Sequence, residues 1–153
     1  MEGAAMTPQE RDTLWRKVLT SDGLPGATGF LGWRLIDLDA EVGWCEAAFL
    51  APPETLNPGG NVQGGMISAM LDEVMSVAAC IVQPVYGMAP TLQMTTNFLR
   101  PAPSGDLRAR GEVVRAGRTA VHTSGTLLAP DGTPLATAVA ACVPKPMPGA
   151  YSA

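Results

Sequence analysis

The chain has 153 residues, 46% of them apolar and 16% charged, with a net charge of −4. That length fits one domain with one good core, and so lightly charged a composition suits a surface partly covered by a second subunit. An acidic chain with no basic stripe argues against nucleic acid or an anionic membrane surface as its partner.

No stretch is expected to approach the roughly 18 apolar residues of a membrane span. The first residues lack the basic flank and apolar stretch of a signal peptide. Cys45, Cys80 and Cys142 are odd in number and lack metal spacing, so they read as reduced thiols of a cytoplasmic protein. With one histidine, a zinc site is not expected.

Thr7-Pro8-Gln9-Glu10 is a helix start, with a capping threonine and proline at the first position, and the helix is expected to stop at about Leu19. From Phe30 the pattern alternates through Leu31, Trp33 and Leu35. A polar turn over 37–41 and then Val42, Trp44, Phe49 and Leu50 complete a predicted hairpin. Residues 51–60 are a loop by composition. Residues 64–83 form the one long predicted helix, closed by Pro84 and about 30 Å in length, enough to cross a sheet. Strands are expected over 91–100, 107–115, 119–128 and 136–143, with turns at Ala116-Gly117 and Pro130-Asp131-Gly132 and a frayed tail over 144–153. The chain is thus expected to be a single domain, with an N-terminal helix and linker over 1–29 and a core over 30–143. The order of elements predicts an α+β layer whose antiparallel sheet wraps the long helix.

On that helix, Gly65, Ser68, Ala69, Asp72, Ser76 and Ala79 share one small, polar face, whereas Met66, Ile67, Met70, Leu71, Val74, Met75, Val77 and Ile81 lie elsewhere. Asp72 and Glu73 are then either the solvent side of an amphipathic helix or a functional carboxylate pair. The preceding loop, with Asn57, Gly59, Gly60, Gly64 and Gly65, favours function. Two glycines opening a helix leave its first amides uncovered, and such donors suit a carbonyl oxygen that becomes negative during acyl transfer. Eight residues separate Gly64 from Asp72, or about 12 Å along the axis. If they serve one carbon, the acid must come from a second copy of the helix, antiparallel across a two-fold axis.

Asn57, Gln63-Gly64-Gly65, Asp72, Thr91, Phe98-Leu99-Arg100-Pro101-Ala102, Gly105, Gly111, Gly117-Arg118 and Asp131-Gly132 together resemble the hotdog-fold acyl-CoA thioesterases, the phenylacetic-acid-degradation branch in particular. The resemblance spans about residues 30–143. It implies a hotdog fold, in which a curved antiparallel sheet wraps one central helix, and homodimers with a continuous sheet, commonly homotetramers. It also implies hydrolysis of acyl-CoA with no cofactor beyond the coenzyme A of the substrate.

By position, the resemblance makes Asp72 the general base or nucleophile, Gly64 the oxyanion amide and Asn57 the residue that orients water or carbonyl. Thr91 would position the nucleophilic water, a part open to Ser76 as well. Gly65 and Ser76 would line the substrate site. The family usually has histidine where this chain has Gln63, which can donate a hydrogen bond but cannot carry a charge or shuttle a proton.

Arg100, Arg115 and Arg118 fall near strand ends and a turn; they either meet the coenzyme A phosphates, for which Arg100 and Arg118 are the candidates, or are solvated strand-end charges. His122, mid-strand, and Cys80, at the far end of the helix, read as structural. Two other readings remain at this stage: a non-catalytic acyl-CoA-binding protein, and an enoyl-thioester hydratase, which would need the acid–base histidine that Gln63 replaces.

Overall fold

The computed structural model describes residues 5–147. Helix α1 (Pro8–Leu19) begins at the expected cap. The Thr7 hydroxyl accepts from the Glu10 amide at 3.3 Å, and the Glu10 carboxylate accepts from the Thr7 amide at 2.7 Å. A five-residue helix, α2 (Gly26–Phe30), follows where only a linker was expected. Its two glycines and single turn leave no periodic signal to read.

Strands β1 (Arg34–Asp39) and β2 (Trp44–Ala51) form the predicted hairpin, with its turn two residues later than expected. Asp39 Oδ1 accepts from the Glu41 and Val42 amides, each at 2.8 Å, and Gly43 closes the turn with φ 90°. After a 3₁₀ turn (Pro53–Thr55) comes the long helix α3 (Gly64–Ile81). The remainder is β3 (Gly87–Met88), β4 (Thr91–Phe98), β5 (Gly105–Ala116), β6 (Val121–Leu128), β7 (Pro134–Cys142) and β8 (Lys145–Pro146).

Six strands form one antiparallel sheet in the order β1-β2-β5-β6-β7-β4. The sheet wraps α3, which is the α+β hotdog arrangement implied by the resemblance. Two sheet glycines on neighbouring strands, Gly111 and Gly125, explain the closeness of the helix. A Cβ at Gly111 would fall 2.5 Å from the Val74 carbonyl, and one at Gly125 would fall 3.0 Å from the Met75 side chain. Met70, Leu71, Val74, Met75 and Ile81 are fully buried against Phe49, Leu107 and Leu127. Each such side chain contributes about 1.5–3 kcal/mol of hydrophobic stabilisation. By length and mean hydropathy, 1.4 over 18 residues, α3 qualifies as a membrane span despite its acidic pair. Ten of its residues are instead buried inside the domain.

Helix α1 closes the far end of α3. The Arg11 guanidinium donates to the Ile81 carbonyl at 2.9 Å, satisfying an acceptor that the helix leaves open, and to the Ala40 carbonyl at 2.9 Å. Trp15 stacks on Tyr86 at 5.1 Å.

Several boundaries differ from expectation, those of β5, β6 and β7 by one or two residues. Helix α3 stops two residues early, at Ile81. Strand β4 ends at Phe98, because the Leu99 and Arg100 amides both turn to the Leu135 carbonyl. The tail does not fray at once, since Lys145–Pro146 pairs with Gly87–Met88; the rest of the expected tail, 148–153, lies outside the described residues.

Candidate active site

The small polar face of α3 looks onto β4, and helix and strand run in opposite directions. Contacts step down the pair in order. A Cβ on Gly64 would sit 3.1 Å from the Phe98 ring. Ser68 donates to Thr96 at 3.0 Å. Thr91 donates to Asp72 Oδ1 at 2.6 Å, and Ser76 stands 3.3 Å from Thr91 and 3.5 Å from Asp72 Oδ1. Gly64 and Asp72, both on α3, thus face opposite ends of one edge strand.

The Gly64 end is built by its own loop. Asn57 Oδ1 accepts from the Gly59 and Asn61 amides at 2.9 and 3.2 Å, and Gly60 takes φ 80° to close the turn. The Asn57 side-chain amide is left with no acceptor among the described residues. Backbone bonds from Gln63 to Thr55 and from Val62 to Ala102 fix the loop to the body.

Gln63 is the N-cap of α3, and its Oε1 accepts from the Gly65 and Met66 amides at 2.6 and 3.3 Å. The expectation of uncovered first amides is therefore corrected: two of them are occupied by Gln63. Gly64 keeps the free amide, with no acceptor among the described residues. Gly65 serves this cap, because a Cβ there would lie 2.8 Å from Gln63 Oε1. A groove of about 380 Å³ opens here, lined by Asn57, Gly64, Ile67, Phe98 and Arg100 among others. A larger cleft, about 580 Å³, lies between the end of α1 and the start of β1, and none of Gly64, Asp72 or Thr91 lines it.

At the other end, Asp72 is half-buried. Both hydroxyls meet its Oδ1, and its Oδ2 accepts no hydrogen bond among the described residues. Glu73 points elsewhere and is not the solvated half of a pair. It is half-buried, and its Oε1 accepts from Thr28 of α2 at 3.0 Å. Burial raises its carboxyl pKa above the ordinary value, the Thr28 bond opposes that rise, and the Asp72 charge adds to it.

The two candidate phosphate-binding arginines are not brought together. Arg100 lines the Gly64 groove and donates to the Pro134 carbonyl at 2.7 Å. Arg118 is exposed in the β5–β6 turn, at the sheet end where Val121 pairs with Cys142 and Cys142 with Thr91. His122 is exposed, beside Arg115 in the β5–β6 register and Ala141 in the β6–β7 register. Burial pushes the Cys45 and Cys80 thiols up to about 12, which leaves them inert. Among the described residues no cluster of three or more potential metal ligands occurs.

Sequence reasoning missed the Ser68–Thr96 bond and the Cys142 sulfur, 3.7 Å behind Thr91. Cys142 is 51 residues from its partner, and no local pattern reports such a contact.

Residues 59–136 match the sequence profile of the Thioesterase superfamily, over half of the chain. A phenylacetic acid degradation-related protein of Ralstonia eutropha is similar in sequence and structure. It is 36% identical, with 84% of this chain and 98% of that one covered, at a TM-score of 0.77. A thioesterase of Haemophilus influenzae, 19% identical, matches the fold over 95% of each chain at a TM-score of 0.73. A Streptococcus mutans protein solved with bound acetyl-CoA, 20% identical, matches it over 82% of this chain and 96% of that one at 0.71. The profile match, joined to a sheet that wraps α3, makes this chain a member of the thioesterase superfamily with a hotdog fold.

Proposed function

We propose that the protein hydrolyses an acyl-CoA thioester at a site shared between two copies of the chain. The observation that carries this reading is the placement of Gly64 and Asp72 at opposite ends of β4, a strand that ends the sheet. β4 pairs with β7 on one side and, among the described residues, with no strand on the other. Its open edge carries Leu92 and Phe98, 71% and 56% exposed, an apolar edge that invites pairing. Antiparallel pairing of two β4 strands about a two-fold sets Thr91 of one copy against Phe98 of the other. The Asp72 of one chain then meets the Gly64 amide of its partner. Within one helix the two are about 12 Å apart, too far for one carbonyl carbon.

The chemistry follows from the free atoms. The Gly64 amide, at the positive end of α3, takes the thioester oxygen, with the Asn57 and Gln63 side-chain amides as further donors. Thr91 and Ser76 hold Asp72 by Oδ1 and leave Oδ2 for the reaction. As general base, Oδ2 takes a proton from water while the water oxygen bonds to the carbonyl carbon. Collapse of the tetrahedral intermediate breaks the carbon–sulfur bond. The sulfur leaves with its electron pair and takes up a proton, giving free acid and coenzyme A. Direct attack by Oδ2 would give an acyl-aspartyl anhydride that water then opens. Arg118 forms no ion pair among the described residues and is the better placed arginine for a phosphate arriving at the Asp72 end. Coenzyme A enters and leaves as substrate, and this chemistry calls for no other cofactor.

The test is free-thiol release from short, medium and aromatic acyl-CoA esters, run beside direct binding. Asp72→Asn is expected to bind as wild type does and to lose at least about 100-fold in turnover. Near-normal turnover in that variant sinks the assignment of Asp72. Binding without thiol release in the wild type would instead mark a non-catalytic acyl-CoA-binding protein, and a change in enoyl absorbance a hydratase.

A further inference from the structure

Three polar groups stand in line at the Asp72 end. The Thr91 hydroxyl donates to Asp72 Oδ1 at 2.6 Å, and the sulfur of Cys142 lies 3.7 Å from the same Thr91 oxygen. The two residues are register partners on β4 and β7, and Cys142 is fully buried. A threonine hydroxyl has one hydrogen and two lone pairs. The short contact to Asp72 uses the hydrogen, so Thr91 meets Cys142 with a lone pair and the thiol must be the donor. Burial raises the thiol pKa and the Asp72 charge adds to the rise, so the sulfur keeps its proton. A thiolate here would instead compete with Asp72 for the single hydrogen of Thr91. Ser76, 3.3 Å from Thr91, has its own single hydrogen directed to Asp72 Oδ1 at 3.5 Å.

We propose that Cys142 is a positioning residue, whose buried S–H group fixes the Thr91 hydroxyl on Asp72 Oδ1 and so reserves Oδ2 for the reaction. The proposal rests on the thioesterase reading of Asp72. Sulfur suits the place, since its longer bond and softer contact span 3.7 Å, whereas a serine oxygen on a shorter bond falls out of hydrogen-bond reach.

The test joins kinetics to infrared spectroscopy. Cys142→Ala is expected to lower kcat about threefold with KM unchanged, and Thr91→Val to lower it about tenfold, the span of one hydrogen bond. The double variant should be no worse than Thr91→Val alone, because the sulfur acts only through the hydroxyl. In the infrared, Thr91→Val should move one S–H stretching band to higher frequency as its acceptor is lost, and Cys142→Ala should delete that band. Additive kinetic losses, or S–H bands unmoved by Thr91→Val, overturn the proposal. The wild-type and Thr91→Val spectra decide the matter even where Cys142→Ala does not fold. A wild type that releases no thiol defeats the thioesterase reading and the kinetic arm with it, while the band position still decides whether Cys142 holds Thr91.

Discussion

The two ends of the small face of α3 are built in opposite ways. At the Gly64 end the side-chain hydrogen bonds are local, although Val62 and Phe98 tie the loop to the body: Gln63 caps amides two and three residues on, and Asn57 binds amides two and four residues on. At the Asp72 end Thr91 comes from 19 residues away, and Cys142 stands 51 residues from Thr91. A short loop can preform the first end, whereas only the finished β4–β7 pairing assembles the second. The amide end should therefore tolerate strain in the sheet that the carboxylate end does not. The proposed reaction needs one of each, taken from different chains.

The largest effect expected from breaking this division is a complete loss that mixing repairs. Gly64→Val presses a side chain on the Phe98 ring, 3.1 Å from the first added carbon, and spoils the amide end. Asp72→Asn spoils the other. Each variant alone should lose about 100-fold or more. After subunit exchange, verified by mass of differently tagged chains, a mixed dimer holds one site with both defects and one with neither. Thiol release should return towards half of the wild-type rate per mixed dimer. Confirmed exchange without recovery would mean that each site lies within a single chain.

A smaller effect separates cap from donor at Gln63. Gln63→Ala removes the acceptor of the Gly65 amide and leaves Met66 only the residue 63 carbonyl, a cap worth about 1 kcal/mol, and is expected to lower both Tm and turnover. Gln63→His restores an acceptor only while the imidazole is neutral. Its turnover should match wild type above about pH 6.5 and fall below it, a limb the wild type lacks. Wild-type turnover in Gln63→Ala would leave the Gly64 amide as the only contribution of this loop to the chemistry.

The same division explains what could be read in advance. The cap of α1, the hairpin of β1 and β2, α3 and the four long strands all follow from patterns within about ten residues, and they lie close to where they were expected. The small face of α3 was legible from spacing alone, and the structure sets it against β4. What the chain hid was non-local or too short to be periodic: α2, the β3–β8 pairing, the Ser68–Thr96 bond and Cys142. Gln63 is the instructive case. Its position stood out as a missing histidine and its hydrogens as donors, but its role as a cap was missed, because a side chain at an N-cap offers its oxygen to the helix. Nothing in composition predicts that choice; it depends on the loop holding residue 63 at φ −64° and ψ 139°.

The smallest effect concerns Glu73, beside Asp72 in sequence yet turned to α2, where Thr28 donates to it at 3.0 Å. Burial holds its pKa above the ordinary value in the folded protein, so between the unfolded and folded values the native state binds more protons than the unfolded chain. Stability from this group is thus present at acid pH and is lost as pH rises through that window. Glutamine keeps an acceptor for Thr28 and carries no charge to desolvate. Glu73→Gln should therefore melt above wild type near pH 7, with the gain vanishing at pH values below the ordinary carboxylate range, and turnover should stay within about twofold of wild type. Paired melting curves across that range, with thiol release measured alongside, check both halves. A gain independent of pH would refute burial as the cause of the raised pKa. A loss of turnover near that of Asp72→Asn would move Glu73 into the chemistry and require α2, through Thr28, to be counted as part of the site.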